Sequence, residues 1–242
     1  KEMHCEFSEL QFAFGLLNEL VNNCWAPGRA WSLPIFPTQR EEAALGYDVK
    51  MKGPIRTLYL QFKVPEKVTS PRGKYWEEFE APYYQFKIWP DARSHQHNIL
   101  VDLANKDPHN KVYYCSPGFH TGEEFERFFC HRQIAKKTIY VPCAELEKIS
   151  GKDRHNICYT LEPLRKSKMH SQTYQIEGFD LEGLKMDAEQ AVPYDDIHTC
   201  LEGVARNFNL NVGNENSTIM RLERIAHQLL MRENLNLLLL GE

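Results

Sequence analysis

No stretch of about 18 consecutive apolar residues occurs in the 242-residue chain, so no membrane span is expected. Its start lacks a basic segment leading into an apolar one, so no secretory signal is expected either. The seven cysteines lie at wide spacings and include no C-x-x-C pair. An odd set of scattered thiols fits neither a zinc cluster nor a disulfide framework and points to a cytoplasmic protein. Cys115 and Cys158 sit inside strand-like runs, where a thiol serves as a small core side chain. Internal repeats and low-complexity tracts are absent too. Positive charge is in short supply: a net charge of −4 argues against a protein that coats nucleic acid non-specifically. A carboxylate site flanked by a local basic strip is compatible with it, because metal-binding acids add negative charge of their own.

What is present is an alternation of helical and strand patterns that one core can hold. Residues 6–23 read as an amphipathic helix with Phe7, Leu10, Phe14, Leu17 and Val21 on its buried stripe, Ala13 beside them, and Gly15 inside. A loop rich in proline follows. Thr38 with Glu41 three residues on is a capping box, opening a short helix that Gly46 closes. Residues 47–52 and 57–64 alternate as strands around Gly53-Pro54, a hairpin signature. A polar loop spans 65–82, and a third strand is expected over 83–89. Ser94 caps a helix over 94–105, KVYYC at 111–115 is a strand, and Thr121 caps a helix with an acidic first turn. Strand-like pieces return at 138–142, 156–161 and 172–177, and 187–240 reads as mainly helical, most strongly over 217–240.

The hairpin carries the chemistry. A turn centred on Gly53-Pro54-Ile55-Arg56 places Asp48 across from Gln61, and directly opposed residues share a face. Lys63, two residues on, emerges on that face as well. The other face carries Val49, Met51, Leu58, Leu60 and Phe62. A carboxylate, an amide and an ammonium grouped on a covered face need a reason, because burying them without partners is costly. Phosphodiester hydrolysis supplies one. Mg²⁺ (or Mn²⁺) prefers oxygen ligands: Asp48 as the anion, Gln61 through its amide oxygen or its backbone carbonyl, and a second acid. Glu9, in the first turn of the opening helix, is the candidate, with Glu42 behind it. Lys63 would orient the attacking water and offset charge on phosphorus.

A helix bearing a glutamate, then GYD on one strand, then an apolar run ending QFK on the next, resembles the PD-(D/E)xK nuclease superfamily, in the branches with Gln for the acid of the E-x-K pair. Tyr47 stands where the family name has proline. The resemblance covers about residues 6–116. It implies a restriction-endonuclease-like α/β fold, a mixed sheet flanked by helices in the order helix–strand–strand–strand–helix–strand. It also implies a metal role for Asp48 and Glu9, the lysine role for Lys63, and hydrolysis of DNA, with RNA left open, in a setting such as anti-phage defence or DNA processing. A nuclease-like domain over 1–180 and a helical C-terminal extension over 181–242 are expected.

Other residues have plainer readings beside the functional ones. Gln96 is expected to face the polar end of the hairpin, and His97 to approach phosphate with Arg40 and Lys50; solvated helix-start and loop residues are the plain alternative. Arg29, Lys52, Arg72 and Lys74 extend the same strip. Gln85-Phe86-Lys87 repeats the Gln-x-Lys motif, but its nearest upstream acid, Glu80, is too close for a preceding strand, so the first copy is preferred. The apolar C-terminal helix is expected to pack on the domain, or to meet a second copy or a partner protein. The competing reading of the whole is a catalytically silent nuclease-like domain that binds nucleic acid or a partner.

Overall fold

A computed structural model of the chain describes residues 2–23, 34–52, 56–107, 109–152, 154–161, 166–169 and 178–189, with Ile176 and scattered positions from 205 to 228. The architecture is mixed α/β with two sheets. A mixed four-stranded sheet at the centre has the order β2 (Val49–Lys52), β3 (Thr57–Phe62), β6 (Asn110–Pro117), β7 (Thr138–Pro142). β3 and β6 run parallel, and both outer pairings are antiparallel. An isolated bridge from Ile35 to Lys50 extends the β2 edge. The second, antiparallel sheet has the order β1 (Glu2–Met3), β4 (Glu66–Val68), β5 (Tyr83–Ile88), β8 (His155–Thr160), β9 (Lys166–Met169).

Both faces of the central sheet are covered. On one, Val49, Met51, Leu58, Leu60 and Phe62 meet α1 (Glu9–Asn23) through Phe12, Leu16 and Leu20. On the other, Tyr59, Val112 and Tyr114 meet α4 (Gln96–Lys106) and the apolar side of the second sheet, including Phe86, Ile157 and Tyr159. Tyr159 also ties the sheets together: its hydroxyl lies 2.8 Å from Ser116 Oγ and donates to the Pro117 carbonyl at 2.6 Å.

Three expectations are corrected. The opening helix buries Phe12, Ala13, Leu16, Leu17 and Leu20, while Leu10 and Phe14 are 77% and 64% exposed. The helix is apolar on two sides, so periodicity alone did not select the one that meets the sheet. The 83–88 strand joins the second sheet rather than the hairpin's sheet, where the Ile35 bridge pairs with β2 instead. The supposed loop 65–82 contains β4 and a short helix, α3 (Trp76–Phe79). Both capping boxes form, opening α2 (Gln39–Leu45) and α5 (Gly122–Cys130). The hairpin turn and most of the 172–177 and 187–240 elements lie outside the described residues; within them, α6 (Leu181–Glu189) is helical, and Leu184 is buried in the core of the central sheet.

Glu19 anchors α1 from its buried side. Its two carboxylate oxygens accept from the Ile134 and Ala135 amides at 2.9 and 2.8 Å. Burial pushes its carboxyl up, against the pull of those amides. Glu19→Ala strands two buried donors, and a loss of about 3 kcal/mol in urea unfolding is expected.

Candidate active site

The register of the hairpin follows from β pairing. Val49 faces Leu60, and the Asp48 amide donates to the Leu60 carbonyl at 3.0 Å, which brings Asp48 to the level of Gln61. Asp48 is led in by Gly46, which closes α2 with a φ of 77°, a left-handed conformation that favours glycine. A Cβ at Gly46 would lie 3.1 Å from the Gln96 carbonyl, so the GYD segment and the start of α4 are pressed together.

Four side chains form one hydrogen-bonded chain. Gln61 Nε2 donates to Asp48 Oδ2 at 2.8 Å, Gln96 Nε2 donates to Gln61 Oε1 at 3.1 Å, and Lys63 Nζ donates to Gln96 Oε1 at 3.4 Å. The Phe62 amide adds a second donor to Asp48 Oδ2 at 2.7 Å. Gln61 is 1% exposed and Asp48 half-buried. Burial pushes the Asp48 carboxyl up to about 7, against the Phe62 amide and Lys63, which pull it down; Glu9 and Glu42 add to the rise. Burial raises Glu9 too, while Lys63 and the Val64 amide lower it and Glu42 raises it. The structure therefore brings Glu9, Asp48, Gln61, Lys63 and Gln96 together, with Glu42 within electrostatic reach.

The fit to a divalent cation is specific in its parts. Both hydrogen bonds to Asp48 fall on Oδ2, so Oδ1 is the oxygen open to a ligand role. A buried carboxylate raised further by Glu9 and Glu42, with one ammonium nearby, is a set that a cation would relieve. The Gln61 amide oxygen accepts from Gln96 and keeps a second lone pair for a ligand. Gln61 Nε2 also donates to the Phe62 carbonyl at 3.3 Å, so its amide group bridges that carbonyl and Asp48 Oδ2. The Phe62 carbonyl is a ligand candidate that sequence reasoning missed, and its position in the Gln-x-Lys run was the available signal. Among the described residues no group of three or more His, Cys, Asp or Glu side chains comes together, so any metal here rests on two acids plus carbonyl and water oxygens.

The remaining predicted residues separate. His97 is 1% exposed, and the phosphate role expected of it does not fit that burial. Its Nε2 meets the Glu147 carbonyl at 2.9 Å and therefore carries the proton, leaving Nδ1 to accept from the Tyr114 hydroxyl at 3.1 Å. Burial lowers its pKa and keeps it neutral. Its task is to fix the first turn of α4, and so Gln96; Asn98, bonded to the Ile149 amide and carbonyl, does the same. Lys50 is half-buried with its ammonium 5.3 Å from the Tyr59 ring centroid. Arg40 is exposed on α2, Arg72 and Lys74 are exposed before α3, and Arg29 lies outside the described residues.

The second Gln-x-Lys gains an acid that the sequence hid. Glu66 on β4 faces Gln85 and accepts from Lys87 Nζ at 2.7 Å and from Gln85 Nε2 at 3.3 Å. Burial alone would raise Glu66, but Lys87 and Gln85 hold its carboxyl below the usual range. That copy is a closed ion pair, whereas Asp48 is held up with no lysine bonded to it. Comparison of the chain with protein-family models, with characterised proteins and with solved structures gives no match, so the reading of function rests on these residues.

Proposed function

We propose that the chain is a metal-dependent phosphodiesterase acting on nucleic acid, DNA first, through the cluster of Asp48, Glu9, Gln61 and Lys63. The observation that carries this reading is Asp48, bonded to the opposed Gln61, with its carboxyl pushed up by burial while Lys63 and Glu9 lie within electrostatic reach. A divalent cation, Mg²⁺ or Mn²⁺, would supply Lewis acidity and a more acidic bound water at neutral pH. Asp48 Oδ1, the Glu9 carboxylate and the Phe62 carbonyl would hold it. Gln61 keeps Asp48 oriented, and Gln96 ties Gln61 to Lys63, whose ammonium offsets charge on a scissile phosphate. The order of elements supports a restriction-endonuclease-like core: a helix, the Ile35 bridge, β2, β3, then α4 and a parallel β6. Anti-phage defence or DNA processing follows as a setting by analogy of fold.

A second reading, a silent nuclease-like domain, is favoured by one observation: both ends of the Gln61 amide are occupied within the protein. Incubation of the chain with plasmid and single-stranded DNA separates the two. Hydrolysis that requires Mg²⁺ or Mn²⁺ and stops with EDTA is expected; binding without cleavage under any metal would select the silent domain.

A further inference from the structure

Trp89 follows β5 and, with Lys63, Ser94 and Gln96, lines one small cleft beside the proposed catalytic cluster. Two guanidiniums sit on its indole: Arg93 Cζ at 3.4 Å from the ring centroid and Arg154 Cζ at 5.0 Å. They arrive from different elements, the turn before α4 and the start of β8, and both residues are exposed. Like charges held around one ring repel unless something organises them, and an aromatic face does so while leaving the N–H edges of each guanidinium for a second ligand. The acid in the same turn is already engaged: Asp91 Oδ1 accepts from Asn98 Nδ2 at 2.9 Å and pairs with His95 Nδ1 at 2.8 Å. Gly151, whose carbonyl accepts from the Ala92 amide at 3.4 Å, draws the two segments together. On a chain of net charge −4, two cations stacked on Trp89, itself part of the cleft that contains Lys63, are a local exception.

We propose that Arg93 and Arg154, organised by Trp89, form a phosphate-binding track that seats the nucleic-acid backbone flanking the scissile position and leads it to Lys63. The ligand is the phosphodiester backbone of a nucleic-acid strand, read by charge and not by base. The proposal rests on the nuclease reading for its ligand, but it concerns binding and not cleavage, so the two can fail separately.

The test is fluorescence anisotropy of a labelled 20-nucleotide single strand and of its duplex, in EDTA to prevent cleavage, over a range of salt. Four proteins are compared: wild type, Lys136→Gln, Trp89→Leu and the double variant Arg93→Gln/Arg154→Gln. The double variant should bind about tenfold more weakly and lose between about one and two units of salt slope. Trp89→Leu removes no charge, yet should weaken binding about threefold, because the guanidiniums lose their organising face. Lys136→Gln, which removes an exposed charge from the turn before β7, should bind within about twofold of wild type. Unchanged affinity and slope in the double variant, or no binding by wild type, would overturn the track. A wild-type response in Trp89→Leu would overturn the organising role of the indole. Expected binding in all four proteins, with no metal-dependent cleavage by wild type, would uphold the track and remove the catalytic reading instead.

Discussion

Asp48→Ala and Lys63→Ala should each reduce the proposed metal-dependent cleavage by at least about a thousandfold while the protein stays folded. The two losses differ in origin. Asp48 takes the Phe62 amide and the Gln61 amide on one oxygen, so its removal deletes the proposed anionic ligand and releases Gln61. Lys63 has one side-chain hydrogen bond, to Gln96, and its removal leaves the carboxylates without their cation. Asp48→Ala should therefore lose metal affinity together with turnover, whereas Lys63→Ala should keep binding metal and lose turnover alone. Single-turnover rates beside a Mn²⁺ titration distinguish these patterns. Melting curves identify a variant that has simply unfolded: neither side chain belongs to an apolar core cluster, so both variants should melt cooperatively.

Metal binding should rise about tenfold per pH unit below neutrality and then level off. Asp48 has a folded pKa of about 7 against an ordinary value of 3.8, and Glu9 is displaced in the same direction. The sign follows from which state holds the proton. Between about pH 4 and about pH 7 the folded metal-free protein keeps a proton that the unfolded chain has released. The stability this contributes is complete at low pH and is lost as pH rises through the folded pKa. A divalent cation at the proposed site would displace that proton, so its stabilisation should grow with pH over the same window. Tm measured with and without Mn²⁺ from about pH 5 to about pH 8 should show the two curves separating as pH rises, with EDTA closing the gap. Asp48→Ala should remove most of the separation, and parallel curves would show that no such proton is displaced.

The hairpin was legible because a two-strand arithmetic fixes it. Gly53-Pro54 marks the turn, alternation marks the faces, and opposed positions then follow, as the bond from Gln61 to Asp48 bears out. Gln96 was legible for a related reason: the turn that begins α4 faces the polar end of the hairpin, and its amide bonds Gln61. What failed needed contacts far apart in sequence. The sheet joined by residues 83–88 is decided by pairing with β4 and β8, which no local pattern reveals. Glu66 escaped notice because its three-residue strand lies beside Pro65 and before a turn-rich stretch. His97 looked like a helix-start residue available to phosphate, but Tyr114 and the Glu147 carbonyl, distant in the chain, claim both ring nitrogens. The opening helix shows a further limit. With apolar residues on two sides, periodicity does not choose between them; Phe12, Leu16 and Leu20 meet the sheet, and Glu19 reaching Ile134 fixes the same side.

That exposed side of α1 leaves an apolar groove of Leu10, Phe14, Leu17, Val21, Pro34 and Phe36. Pro34 and Phe36 flank the Ile35 bridge to β2, so the groove runs beside that edge of the central sheet.

The duplicated motif gives the account internal discrimination. Both Gln-x-Lys runs have an acid across the strand, but Lys87 closes on Glu66 at 2.7 Å while Lys63 bonds Gln96 and leaves Asp48 raised. Lys87→Ala should therefore leave turnover within about threefold of wild type, since removing a half-exposed ion pair has small effects.

Cleavage of an end-labelled DNA strand by wild type beside Asp48→Asn, in one Mn²⁺ buffer and at one enzyme concentration, tests the central claim most directly. The account predicts products with wild type and none with Asp48→Asn. Equal product from both proteins, or none from a wild-type sample shown to have bound Mn²⁺, would contradict it.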